Sequence, residues 1–331
     1  MSDQPYNPTG DYQPGSTVEP PVIYAWPPKP LAAMRYMLVD MMFPWNYLYI
    51  GLALICWAYF TPSLSSTTHF EFGWIAELWV RNAAVLTLVA GGLHWWLYQR
   101  KSQQQELKFH RRWLDTDNDK FLWRNQVYDN VFWSCVSGVT IATAYEAMTY
   151  WLYANGYVVA PDFAGHPVYL IISIYGVFFL GTAHFYCIHR LSHWPPLYRV
   201  SHELHHRNVN TGPWTGISMH PIEHLLYFNA IALTWIFPVH PFVVVLITLW
   251  FIAGPAPSHC GFDFIRIRNF RFSTGDWFHQ LHHQYFDLNY GNTLSPLDCL
   301  FGSWHNGSKD SLMVQKHRAK TRRKSKAGAA S

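Results

Sequence analysis

Residues 168–188 carry no Asp, Glu, Lys or Arg, and the chain then runs directly into HRLSHWPPLYRVSHELHH, from His189 to His206. An apolar run of this length is near what a bilayer requires. In hydrocarbon each backbone N–H and C=O must find its partner within the segment or a closed barrel, so a lone run of this kind folds as a helix. Three more apolar runs precede it, at 43–60, 83–98 and 130–153, the second of them short. Their ends carry Trp and Tyr, as membrane interfaces favour. A fifth region, 225–253, is interrupted by Pro238-Val-His-Pro241. A Pro-x-x-Pro break ends or kinks a helix, which predicts a helical hairpin that enters and leaves on the same side. The expected fold is an all-α integral membrane protein of about four transmembrane helices plus that hairpin.

Composition agrees. Half of the chain is apolar, 18% is aromatic, and charged residues make up 13%, about half the usual share. The mean hydropathy of -0.04 is low for a membrane protein and predicts a polar, His- and Trp-rich portion outside the bilayer. The net charge of +4 collects in one loop and the C-terminal tail. In so apolar a chain it fits a basic rim against a membrane surface and excludes nucleic acid as the partner. The five cysteines are scattered, with no CxxC pair, which favours a reducing, cytosolic side. Residues 1–34 hold eight prolines and neither a basic start nor an apolar core, so they read as a flexible arm and not as a signal peptide. One domain is expected over 35–310, with its histidine motifs within 184–305, followed by a basic tail at 311–331. Arg100, Lys101, Lys108, Arg111, Arg112, Lys120 and Arg124 place the loop 99–126 on the cytoplasmic side, while 154–167, without Lys or Arg, faces the other. The fourth run then returns to the cytoplasm at His189.

The histidines fall in three blocks: HxxxH at His189 and His193, HxxHH at His202, His205 and His206, and HxxHH again at His279, His282 and His283. Positions i, i+3 and i+4 share a helix face, so each block is expected to aim its imidazoles at one point. One HxxxH alone is weak evidence, since exposed helical histidines are common. Three blocks in under 100 residues would bury many polar nitrogens without partners unless they bind metal. Neutral imidazoles suit a first-row transition metal such as iron, and eight nitrogens exceed the need of one ion. The cysteines form no zinc or iron–sulfur set. A Glu-x-x-His pair occurs at Glu203 and His206, without the second copy that soluble di-iron proteins use.

These blocks, with YCIHRLSHWPPLYRVSHELHH, SMHPIEH, SHCGFDF and HQLHHQYFDLNYGNTLSPLDCLFGS around them, resemble the fatty acid hydroxylase/sterol desaturase superfamily, nearest its sterol C5-desaturase (lathosterol oxidase) branch. The resemblance covers roughly 165–305 and leaves the first 125 residues unmatched. It implies a cytoplasmic histidine-rich cap holding two iron ions, with O2 as co-substrate. The ligands implied are the eight histidines of the blocks, supplemented by His220, His224 or His259. His184 and His240 read as structural. Asp276 and Glu203 are expected to hydrogen-bond the outer nitrogens of the ligands, and Gly291 in the NYG run to permit a turn. The implied activity is O2-dependent oxidation of a lipid, with sterol desaturation first. Hydroxylation of fatty-acyl, alkyl or carotenoid lipids, or sterol 4-methyl oxidation, is the alternative. A haem- or zinc-binding membrane protein without catalysis is the reading from another class. The chain has no GxGxxG, no cysteine cluster and no HPGG run, so electrons must come from an external carrier. The resemblance implies cytochrome b5 or a ferredoxin, served by an NAD(P)H reductase, in the endoplasmic reticulum of a eukaryote or the inner membrane of a bacterium. Arg111, Arg112, Arg318, Arg322, Arg323 and Lys324 are its expected docking charges.

Overall fold

The helix α8, Pro241–Ser258, is apolar on every face, and 72% of its length is buried inside the protein. A helix with no polar side is buried in a core or spans a membrane, and here the surrounding helices place it at the centre of the bundle. Pro241 sits at its first position and the His240 ring accepts from the Phe242 N–H, so the Pro-x-x-Pro break starts this helix cleanly. The structure, a computed structural model, describes residues 6–162, 165–275, 277–308, 311 and 316. Around α8 stand α2 (Trp45–Tyr59), α3 (Phe72–Gln99), a long helix α4 over 126–154, and α5 (Pro167–Ser192). Tyr49 of α2 hydrogen-bonds the Ala253 carbonyl, and Trp250 donates to Asn46. On the other side Gly181 of α5 lets Trp250 in close, since a Cβ there would stand 2.8 Å from the indole.

Among the described residues three helices are long and apolar enough to cross a membrane: α3, α5 and α8. A fourth span results if α1 (Pro30–Asp40) and α2 are taken together across their 52° bend. The expected third span, 130–153, does form a continuous helix, α4, but falls short of that apolarity. Its polar side chains Ser134, Ser137, Thr143, Glu146 and Thr149 are buried against neighbours. The hairpin expected at 225–253 has its break where predicted. Its descending arm is α7 (Pro221–Phe228) with the turns that follow, and its returning arm is α8, the centre of the bundle.

Two expectations are corrected. The protein is not all-α: β1 (Phe264–Ile267) and β2 (Phe270–Ser273) form an antiparallel hairpin. The described part of the N-terminal arm is also pinned across the cap. Tyr12 donates to the Lys108 carbonyl, Arg111 N–H to Asp11, Val18 N–H to the Asn306 carbonyl, and Tyr24 to Leu294. The basic loop is anchored too. The fully buried Lys108 donates to the carbonyls of His110 and Arg112 and to Asn210, beneath Tyr98 and Trp113. Arg318, Arg322, Arg323 and Lys324 lie outside the described residues.

Inside the bundle Arg81 of α3 is paired with Glu146 of α4, at 3% and 0% side-chain exposure. Asn82 and Thr61 complete the arginine's partners, and Asn82 also donates to Glu146 and Thr143. Removing one partner of such a pair leaves a buried charge uncompensated. Arg81→Met is expected to cost about 3–5 kcal/mol, with Arg81→Met/Glu146→Leu recovering most of it. Thermal unfolding of the two variants in detergent checks this.

Candidate metal centre

Each histidine block is delivered by a different piece of the fold. α5 ends at the cap, with His189 in its last turn and His193 capping it. Trp194-Pro195-Pro196 turns the chain into α6, a π-turn Tyr198–His202 continued by Glu203–His206. α9 (Trp277–Tyr285) carries the third block, and the end of α8 presents His259. These pieces bring nine histidines into two groups. His189, His193, His202, His206 and His282 form the first, and His205, His259, His279 and His283 the second, with the nitrogens of each group within 4.8 Å of one another. The second group is fully buried; in the first only His193 is half-buried.

The blocks do not each aim at one point, as the sequence suggested; each HxxHH is split. Residues four apart share a face, whereas adjacent ones diverge by about 100°. His202 and His206 therefore face the first group and His205 the second. On α9 the sense is reversed, with His279 and His283 facing the second group and His282 the first. Two crossed HxxHH helices thus serve two sites side by side.

The outer nitrogens fix the tautomers. His189 Nδ1 donates to the Tyr290 carbonyl, His282 Nδ1 to Leu288, His259 Nδ1 to Pro255, and His202 Nδ1 to Glu223 Oε1 at 2.6 Å. Carbonyl oxygens only accept, so Nδ1 of His189, His282 and His259 carries the proton and Nε2 turns a lone pair inwards, and an ionised Glu223 sets His202 the same way. There the Nε2 atoms meet. His193 stands 3.1 Å from His202, 3.1 Å from His206 and 3.2 Å from His282; His282 is 3.0 Å from His206, and His259 is 2.9 Å from His279. His189 Nε2 and both nitrogens of His283 are buried without a partner. A single Nε2–H on His193 can serve only one of its three neighbours, so these nitrogens cannot all satisfy one another, whereas a cation among them would match every inward lone pair. Two nitrogens held side by side on one ion at about 2.1 Å would stand about 3 Å apart, so the donor set fits a metal in each group. Burial pushes His202 and His259 down to about 3 and His205 to about 4, so they are neutral near pH 7, as ligands must be.

The structure does not bring His220 or His224 into either group. The half-buried His220 caps α7, its Nδ1 accepting from the Ile222 N–H. His224 is buried between Ser137 Oγ, 2.8 Å from its Nδ1, and the Ile217 carbonyl, 3.0 Å from its Nε2. His184 meets Asn229, outside both groups. Glu203, expected to support the ligands, is exposed, and Asp276 lies outside the described residues. The carboxylate that does touch a group is Glu223 of the HPIEH run, which the sequence did not single out. Asp298 acts one step further out. It accepts from the N–H groups of Tyr290 and Gly291 and from Ser303, holding the carbonyl that fixes His189. Gly291 is needed for that close approach, since a Cβ would stand 3.0 Å from the Asp298 carboxylate; the left-handed residue of the run is Asn289, at φ 52°.

A cavity of about 280 Å³ opens against the groups. His189, His202, His205, His259 and His279 line its inner wall, and Tyr36, Met41, Trp45, Phe185, Trp250 and Phe251 are among its apolar walls.

Residues 174–303, which hold all nine histidines, match the family model described as Fatty acid hydroxylase. Among curated proteins the chain is similar to Delta(7)-sterol 5(6)-desaturase ERG3 of Saccharomyces cerevisiae, 30% identical over 47% of this chain and 42% of the relative. It is similar also to lathosterol oxidase of Rattus norvegicus, 31% identical over 44% and 50%, and to Delta(7)-sterol 5(6)-desaturase ERG3 of Candida albicans, 26% identical over 48% and 38%. The chain spans about half or less of the length of these relatives. No solved structure matches.

The depressed histidines make a prediction for the metal-free protein. An unfolded histidine takes up its proton near pH 6.5, whereas these folded ones resist it to about 3–4. Between those values the unfolded state binds more protons, so stability is full above the unfolded value and is lost as pH falls towards the folded one. Each such group removes up to about 1.4 kcal/mol per pH unit. The thermal midpoint of chelator-treated protein should hold steady near neutrality and drop steeply below about pH 6.5. A flat profile through that window would contradict the assignment.

Proposed function

We propose that this protein is a membrane-bound, O2-dependent iron oxidase of a lipid, and that desaturation of a sterol at a C–H bond pair is its reaction. The observation that carries this reading is the pair of histidine groups forming one wall of a cavity whose other walls are mainly apolar. Several of its polar wall groups are turned to their own partners: Tyr49 to the Ala253 carbonyl, Tyr227 to Phe251, Thr182 to Phe179, and Asn46 to Trp250 and Met41. An occupant meets mostly carbon along the walls, and the histidines with the unpartnered Glu223 Oε2 among the polar groups. It is held chiefly by burial of its own hydrocarbon.

His189, His193, His202, His206 and His282 would hold one iron, and His205, His259, His279 and His283 a second. Bound iron supplies the O2 activation that cleavage of an unactivated C–H bond requires. The chain's part is to orient the substrate and keep water out. Phe185, Trp250 and Phe251 shape the space beside the histidines. The Tyr290, Leu288 and Pro255 carbonyls keep the rings in place throughout. Forming one double bond with one O2 takes two hydrogens from the substrate and two electrons with two protons from outside, and yields two waters. The donor of those electrons is a separate carrier, a small haem or iron–sulfur protein reduced through NAD(P)H. The family description favours one second reading, hydroxylation, in which the first C–H cleavage is followed by oxygen transfer and a single water is formed.

The histidine cap lies on the cytoplasmic face. The packing of the basic loop 99–126 against the cap through Lys108 and Asn210 supports this side, together with the charge asymmetry of the loops. The tie of the Pro238–Pro241 break to Tyr153 and Tyr169, at the far ends of α4 and α5, agrees with it.

Expression in a host lacking sterol C5 desaturase, followed by sterol analysis, tests the reaction. A new double bond is expected, and an alcohol instead would select the second reading. Active protein should contain two iron ions per chain, and His205→Ala or His282→Ala should abolish turnover. Purified protein given only NAD(P)H and O2 should not turn over. Cysteines placed at 154–167 should label from outside, and labelling of the 99–126 loop from outside would overturn the orientation.

A further inference from the structure

We propose that Glu223 is the positioning residue of the first histidine group, fixing the His202 ring and supplying the negative charge beside the bound metal; this rests on the iron reading above. Three rings of the group are held through Nδ1. Two of the holders, Tyr290 and Leu288, are neutral carbonyls. The third is the Glu223 carboxylate, 2.6 Å from His202 Nδ1, with side-chain exposures of 5% and 1%. Among the described residues no other carboxylate oxygen is hydrogen-bonded to a histidine of either group. Two divalent cations among nine neutral imidazoles would bury about four positive charges, which neutral ligands do not offset. Glu223 also lines the cavity, and its second oxygen, Oε2, is buried without a partner.

The run HPIEH is built to place this carboxylate. His220 caps α7, Pro221 starts it, and Glu223 falls in the first turn, where the helix end favours an anion. His224, locked between Ser137 and the Ile217 carbonyl, sets the rotation of the helix. The two histidines that the resemblance offered as further ligands therefore act as the mount for the acid between them.

The test uses full-length metal-free protein titrated anaerobically with Fe(II), and the absorption bands of the same protein loaded with Co(II). Wild type should bind two ions. Glu223→Gln keeps the shape and loses the charge. It should bind one ion as before and the other about 10–100-fold more weakly, with altered Co(II) bands. Glu223→Asp should restore part of the affinity, and Glu203→Gln, on the exposed face of α6, should match wild type. Two ions bound by Glu223→Gln with unchanged affinity and bands would overturn the proposal. Loss of both ions from that variant would also overturn it, by making the residue a general support of the fold. Wild type that binds no iron would defeat the iron reading itself, before any variant is compared.

Discussion

Neutral imidazole nitrogens facing one another at 2.9–3.2 Å are not a self-supporting arrangement, and the cap is built to hold them there. Each ring whose tautomer is fixed is gripped from behind by a group from another part of the chain. His189 and His282 are held from the segment after α9, His259 from the end of its own helix, and His202 from α7. Those grips need support in turn. Asp298 binds the backbone of Tyr290 and Gly291, and Asn289 bridges the carbonyls of Phe278 and His305. A buried polar group left unmatched costs about 1–3 kcal/mol. The unmatched inward nitrogens are therefore a large local cost that metal binding would remove.

The bundle makes such a cap possible by being rigid where the cap attaches. His189 and His259 sit at the ends of α5 and α8, which pack directly against each other at Gly181 and Trp250. Shifting one helix along the other would pull the two histidine groups apart. α8 is held between α2 and α5 through Tyr49, Trp250 and Gly181, and α3 and α4 are locked by Arg81, Glu146 and Asn82. That polar pairing also explains why α4 escaped the simplest apolarity test: its polar face looks inwards, at α3, and only the rest of it needs to be apolar.

Much of this was legible in the sequence, for identifiable reasons. Apolar runs and Trp/Tyr belts located the long helices because the bilayer imposes length. The histidines of the three blocks were visible as a set because so many buried imidazoles need a common partner, whereas His259 came only from the resemblance, beside His220 and His224. What the sequence could not carry was direction. Which helix face looks at which group depends on how α6 crosses α9, so HxxHH looked like one aim and proved to be two. HPIEH looked like another ligand pair, since spacing cannot separate a ring that binds metal from one that caps a helix. Glu223 was one acid among several until the fold chose it, while Glu203, three residues before His206, turned outwards. The N-terminal arm read as loose because proline-rich composition reports on local propensity. Its hold comes from distant partners such as Asp263, Leu294 and Asn306.

The two groups also present two different sides. Towards the cavity they show His189, His202, His205, His259 and His279. Away from it, His193, His206 and His282 pack against Tyr198, Phe286 and Tyr290, all three only half-buried, as is His193. Under the oxidase reading proposed above, the carbon to be oxidised would need shielding from water while electrons arrive from a partner in water. The cavity on one side and the half-buried aromatic wall on the other would serve those two needs separately. The splitting of each HxxHH, which spacing alone could not reveal, puts the first group under that wall and the second away from it.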